Sequence, residues 1–141
     1  MRITLLVVAS LLAAHPIPAQ APPAKPGVAA GDEAALTDAW RRRRDGVPVE
    51  VTARVVRLLR DDSVGVRHQR FRVQVGAMGT TVVVSHNVNV AGRVPVHVGD
   101  EIRIRGVYTW TRKGGLIRWT HRDPRGARPA GFIRLRDKTW Q

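Results

Sequence analysis

Between Val49 and Leu135, apolar residues recur at every second position in short runs separated by glycine and aspartate. Val49, Val51, Ala53 and Val55 alternate with Glu50, Thr52 and Arg54, the period of a strand with one buried face. The Val55-Val56 doublet breaks the alternation and predicts a bulge. Asp61-Asp62-Ser63-Val64-Gly65 is turn chemistry. A second strand follows from about Arg67, with Phe71, Val73 and Val75 alternating against Arg70, Arg72 and Gln74. Gly76-Ala77-Met78-Gly79 turns the chain into a third strand, Thr80 to Ser85. A longer connection with Gly92 and Pro95 leads to Val98-Gly99-Asp100. Beyond it Ile102, Ile104, Tyr108 and Trp110 alternate with Arg103, Arg105 and Thr109. Lys113-Gly114-Gly115 then turns into a fifth strand, Leu116 to about Arg122, and a last apolar piece runs from Gly131 to Leu135. Five strands with a longer connection after the third predict a mainly β fold, a small five-stranded OB-like Greek-key barrel. Such a barrel closes its own edges. A small β-sandwich or an SH3-like barrel is the alternative.

Ahead of the strands the period is helical. Leu36, Ala39 and Trp40 fall on one face, Asp32 can cap the helix, and Gly46 suits its stop after about Asp45. Arg41 to Arg44 then sit in the last turn, where cations complement the carbonyl end of the dipole. Contact with a polyanion, or a processing site, is the other reading of this four-Arg run. Further upstream, Met1-Arg2, the apolar run Ile3 to Ala14 and the small-x-small Ala19-Gln20-Ala21 form an export signal. We expect cleavage after Ala21, which divides the chain into a signal peptide (1–21), a Pro/Ala/Gly-rich flexible leader (22–31) and a single helix-plus-β-barrel domain (32–141). The apolar run is too short to span a bilayer, so no integral membrane span is expected after cleavage. The expected location is periplasmic or extracellular.

The chain has 24 Lys and Arg against 11 Asp and Glu, a formal charge of +13. Loss of a signal containing Arg2 lowers this by one. Such an excess favours an anionic polymer as partner, nucleic acid or an acidic glycan, and says nothing about fold. Only Lys25, Lys113 and Lys138 are lysines, so a coding bias towards arginine is a second explanation of the charge. The absence of cysteine excludes disulfides, thiolate metal sites and lipid attachment through cysteine. No P-loop, Rossmann glycine pattern, nucleophile elbow or EF-hand loop is present, and the sequence assigns no cofactor, metal or oligomeric state.

Three polar clusters interrupt the strands: Arg67-His68-Gln69-Arg70, Ser85-His86-Asn87 and Trp119-Thr120-His121-Arg122-Asp123. If Val75 faces Thr80 across the hairpin turn, His68 lies opposite Asn87. A bulged turn would set His68 opposite His86 instead. On the fifth strand the period places Ile117, Trp119, His121 and Asp123 on one face, with Asp123 able to orient His121. Trp119, two residues beyond Ile117, reads first as core. The candidate catalytic residues are thus His68, His86, His121 and Asp123. Candidate binding residues are Arg67, Gln69, Arg70, Asn87, Trp110 and Trp119.

Three chemistries remain open. His68, His86, His121 and Asp123 can form a metal site with an open position, although no tight His-x-His spacing supports one. A pair of histidines with Arg67 or Arg70 can move protons and clamp phosphate in a phosphodiester hydrolase. Arg67, Arg70, Arg103 and Arg105 can follow a phosphate backbone while Trp110 or Trp119 stacks bases, making a binding module. An envelope structural or interaction protein, whose histidines only cap strand ends, is a further alternative.

The Asp61-Asp62 turn, Arg67 to Phe71, His86-Asn87, Gly99-Asp100, Gly106, Tyr108 with Trp110, Lys113-Gly114-Gly115, Trp119-Thr120-His121 and Asp123-Pro124 together resemble the exported bacterial family known as domain of unknown function 3465. The resemblance runs from about Leu36 to the end of the chain. It implies a small exported, barrel-like domain and carries no activity with it. The chain departs from the family pattern at Asn89, where Asp is usual, and at Arg118, where His often precedes the Trp.

Overall fold

The computed structural model describes residues 30–141. The predicted signal, and all but the last two residues of the predicted leader, lie outside them. In chain order the elements are α1 (Ala30–Arg41), β1 (Val47–Leu58), β2 (His68–Gln74), β3 (Thr81–Asn87), α2 (Val88–Ala91), β4 (Glu101–Thr109), β5 (Leu116–Arg118), β6 (Phe132–Leu135) and β7 (Lys138–Trp140). The sheet order is β1-β2-β3-β5-β4-β6-β7, and β1 also pairs with β4, so the first five strands close on themselves. All pairings are antiparallel except β3 with β5. A five-stranded barrel with that order is the OB architecture, here with an N-terminal helix and with β6 and β7 added outside the barrel.

Closure depends on β1 serving two neighbours. Its first part, Val47 to Arg54, pairs with β4 and its last part, Arg54 to Leu58, with β2. The register slips between Val55 and Arg57. The extra residue increases local bend and twist, which lets one strand pass from one side of the barrel to the other. Inward positions fill the core: Val49, Val51 and Val55 from β1, Phe71 and Val73 from β2, Val82 and Val84 from β3, Ile102, Ile104 and Tyr108 from β4, and Ile117 from β5. Helix α1 adds Leu36 and Ala39 to this cluster. Among the described residues no helix is long and apolar enough to cross a membrane.

Several boundaries differ from the sequence reading. Helix α1 ends at Arg41, with Arg43 in the left-handed region at φ 56°. The Arg44 N–H donates to the Ala39 carbonyl at 2.8 Å and that of Arg43 to Trp40 at 3.2 Å. These paired bonds close the helix end, so Arg43, not Gly46, makes the stop. Asp32 lies within α1 instead of capping it. Strand β3 continues to Asn87, whose side chain caps α2 by accepting the N–H groups of Asn89 and Val90. The largest difference is β5, which ends at Arg118 because Trp119 is left-handed at φ 59°. A bulky residue there is a conformational outlier, and it destroys the two-residue period through His121 and Asp123.

Tertiary contacts hold that outlier. Gly131 lies directly on the Trp119 carbonyl, where any Cβ would collide, and its N–H donates to the His121 carbonyl at 3.1 Å. Gly106 lets β5 cross β4 closely: a Cβ there would stand 2.6 Å from the Arg118 carbonyl oxygen and 2.8 Å from Ile117 Cγ2.

Candidate functional site

The β2–β3 hairpin has Gln69 opposite His86 and His68 opposite Asn87. The unbulged register therefore holds, and the alternation puts the two histidines on opposite faces of the sheet. His68 points outward with Arg70, Arg72, Ser85 and Asn87; His86 points inward with Gln69. The face carrying His68 is the one that OB barrels present to ligands.

A pocket of about 440 Å³ opens on that face. His68 enters from β2, Ser85 and Asn87 from β3, and Leu116 and Arg118 from β5, with Trp119 and His121 following β5. Asp62 and Val66 of the β1–β2 loop close one side. The loop is tied down by a bridge in which the backbones of Asp62 and His68 exchange two hydrogen bonds of 2.9 Å. Asn87 Oδ1 is occupied in capping α2, which fixes the amide orientation and leaves Nδ2 as the donor for the pocket.

His121 is 6% exposed. Its Nδ1 lies 2.8 Å from the Arg122 carbonyl. A carbonyl only accepts, so Nδ1 carries the proton and Nε2 of the neutral ring keeps its lone pair. The Trp119 ring meets the His121 ring edge-on at 5.9 Å between centroids. Trp119 is 38% exposed and is not core, contrary to the reading from its spacing after Ile117. Its other neighbour is the Arg128 guanidinium, 3.6 Å from the ring centroid. Trp119 also forms part of a second cavity, of about 510 Å³, over β1 and β4.

His86 is fully buried. Its Nε2–H donates to the Gly92 carbonyl at 3.0 Å, and its Nδ1 accepts from Thr120 Oγ1 at 2.8 Å. Burial, reinforced by the nearby His121 and His68, lowers its pKa to about 4 against the two hydrogen bonds that raise it. The ring is neutral at ordinary pH and has no nitrogen left for a ligand. It ties the loop after α2 to the turn that carries Trp119 and His121, and so acts as a positioning residue.

Other sequence candidates are similarly engaged. Gln69 is buried; its amide donates to the Val94 carbonyl at 2.7 Å and accepts the Val94 N–H at 2.9 Å, imitating a strand partner. Asp123 does not orient His121. Its carboxylate accepts the N–H groups of Arg125 and Ala127 at 3.1 and 3.0 Å, with Arg128 3.8 Å away. The Arg125 bond foremost, together with the Arg128 charge, holds its pKa below the usual carboxylate value against the opposing effect of burial. Trp110 lies apart from the pocket, half-buried, with its backbone N–H on Asp45 Oδ1 and Arg43 5.4 Å from its ring. Arg67 is exposed and does not line the pocket. A ligand set of three histidines is not assembled. Among the described residues no group of three or more His, Cys, Asp or Glu is placed to hold a metal ion.

The arginines of the two outer faces differ in their partners, except that Arg54 of β1, like those of the other face, has no carboxylate partner among the described residues. On the β1–β4 face Arg103 and Arg105 both pair with Glu50, at 2.5 and 2.6 Å. Burial alone would raise the Glu50 pKa, but the two guanidiniums outweigh it and hold the group below its ordinary value. Arg70, Arg72 and Arg118, on the β2–β3–β5 face, have no carboxylate partner among the described residues. The sequence reading singled out Arg70 but missed Arg72, Ser85, Asp62 and Arg118. For Arg72 and Ser85 the signal was the shared outward parity with Arg70 and Asn87.

Residues 23–141 match the family described as Protein of unknown function (DUF3465). The chain belongs to that family. Membership in DUF3465 brings no activity to the pocket. No curated protein and no solved structure matches the chain.

Proposed function

We propose that this protein is an exported binding module for single-stranded nucleic acid, which it takes across the outer face of β2, β3 and β5. The observation carrying this reading is the distribution of unpaired positive charge. Among the described residues Arg70, Arg72 and Arg118 lack carboxylate partners on the face where OB barrels hold single strands, whereas Arg103 and Arg105 on the neighbouring face share the Glu50 carboxylate. Unpaired guanidiniums bind phosphate without first losing an internal partner. The pocket beside them adds Asn87 Nδ2, the Ser85 hydroxyl and two imidazoles as groups for a base edge or sugar, and the half-exposed Trp119 as an apolar wall.

Fluorescence anisotropy with a labelled single-stranded oligonucleotide tests the reading. Affinity should fall with salt, with a log–log slope of about −0.7 for each phosphate contact. Arg70→Ala and Arg118→Ala should each make that slope shallower by about one contact. Absence of binding at low ionic strength would end the proposal. Export is tested separately by N-terminal sequencing of material recovered outside the cytoplasm: a mature chain beginning at Pro22 supports it, and one beginning at Met1 refutes it.

A further inference from the structure

The same pocket is lined by two imidazoles, His68 and His121, the kind of proton-transfer groups that RNA cleavage requires. In the sheet, β3 lies between β2 and β5. β2, which carries His68, and β5 are therefore two strand spacings apart, about 10 Å of backbone, and His121 lies three residues beyond the end of β5. Ser85 and Asn87 form the floor between them. The two rings are not equivalent. His121 lines the pocket and is held through Nδ1 by the Arg122 carbonyl, and among the described residues its Nε2 has no hydrogen-bond partner. This is the arrangement of a general base. His68 is half-buried, and among the described residues no ring hydrogen bond fixes its tautomer, so it can carry a proton on either nitrogen. Arg118, without a carboxylate partner among the described residues, lines the same pocket.

Resting on the nucleic-acid reading above, we propose that this pocket cleaves RNA by transesterification. His121 Nε2 removes the proton of a ribose 2′-hydroxyl. The 2′-oxygen forms a bond to the adjacent phosphorus while the P–O5′ bond breaks, and the protonated His68 imidazole delivers its proton to the departing O5′. The products are a 2′,3′-cyclic phosphate and a 5′-hydroxyl, with one proton taken up by His121 and one given by His68, so that exchange with solvent resets both rings. No water, metal ion or redox partner enters this step. Arg118 and Asn87 Nδ2 offset the charge that gathers on the non-bridging oxygens. His86, neutral and sealed, keeps Thr120 and hence His121 in place.

The test compares three oligonucleotides of one sequence, as RNA, DNA and 2′-O-methyl RNA, in the presence of a chelator. All three should bind, and only RNA should be cut, leaving ends with a cyclic phosphate. Since general acid–base groups typically contribute 10²–10⁴-fold, His121→Ala and His68→Ala should each reduce cleavage by about 100-fold or more, a far larger loss than either causes in binding. Binding of RNA without cleavage overturns the inference and leaves the binding reading standing. Cleavage that persists in both variants, or that acts equally on DNA, also overturns it. Failure of all three to bind overturns both readings. The 2′-O-methyl comparison needs no variant, so a substitution that unfolds the chain does not remove the test.

Discussion

Acidification should remove a defined part of this protein's stability through one side chain. His86 is fully buried in the native state, with a pKa of about 4 against an ordinary value of 6.5. In the unfolded chain it takes up a proton as pH falls below about 6.5, while in the folded chain it resists until about pH 4. The unfolded state therefore binds more protons in this window, and the free energy of unfolding falls as pH falls. The contribution is complete above about pH 6.5 and is lost progressively down to the folded value. At 1.36 kcal/mol per pH unit, the shift amounts to about 3 kcal/mol, a large share of the 5–15 kcal/mol typical of a domain. Substitution His86→Gln retains a donor for the Gly92 carbonyl but cannot titrate. Urea unfolding followed by tryptophan fluorescence, from about pH 7 to about pH 4, should show the wild-type stability falling towards that of the variant, closing the gap by about 3 kcal/mol. Carboxylates that protonate in the same range act on both proteins and cancel in the comparison. Parallel pH profiles would refute the assignment of the buried, neutral ring.

Other substitutions probe the supports of the pocket. Gly131→Ala places a methyl group against the Trp119 carbonyl and should cost about 1–3 kcal/mol, measurable by thermal unfolding, with weaker oligonucleotide binding at a temperature where the variant is folded. Gln69→Leu removes both side-chain bonds to Val94 and leaves the buried Val94 N–H unpaired, at about 1–3 kcal/mol, while the Val94 carbonyl keeps the Val96 N–H; urea midpoints should fall accordingly while the denaturant slope stays constant. Arg105→Ala, where the guanidinium is already paired with Glu50, should leave oligonucleotide affinity within about twofold, whereas Arg70→Ala should weaken it by the equivalent of one charge-assisted contact, about 1.5 kcal/mol or more. Equal losses from Arg70 and Arg105 would remove the distinction between the two faces.

Much of the barrel was legible because its strands obey a local rule. Alternation in Val49–Val55, Phe71–Val75 and Ile102–Tyr108 reports one buried face, and the Val55-Val56 doublet reported the bulge of β1. Two hairpin registers stayed open in the sequence, and the unbulged one, with His68 opposite Asn87, is the one that forms. The end of β5 was not legible, because nothing in Arg118-Trp119-Thr120 locally demands a left-handed residue. That conformation comes from Gly131 on the Trp119 carbonyl and from His86 on Thr120, contacts across 12 and 34 positions of sequence. Losing the strand there moved Trp119 outward and separated Asp123 from His121. Polar clusters also conceal structural work: Gln69, His86 and the Asn87 carbonyl oxygen serve backbone groups, and only the registers and partners distinguish them from His68 and Asn87 Nδ2. The short β7 escaped notice because Lys138-Thr139-Trp140 is too brief to establish a period.

The central claim is that single-stranded nucleic acid lies on the outer face of β2, β3 and β5. Amide NMR during titration with a short single-stranded oligonucleotide tests it residue by residue. Shifts should concentrate at His68, Arg70, Arg72, Ser85, Asn87 and Arg118 to His121, with Glu50, Arg103 and Arg105 largely unmoved. Shifts confined to the β1–β4 face, or none at low salt, would contradict it.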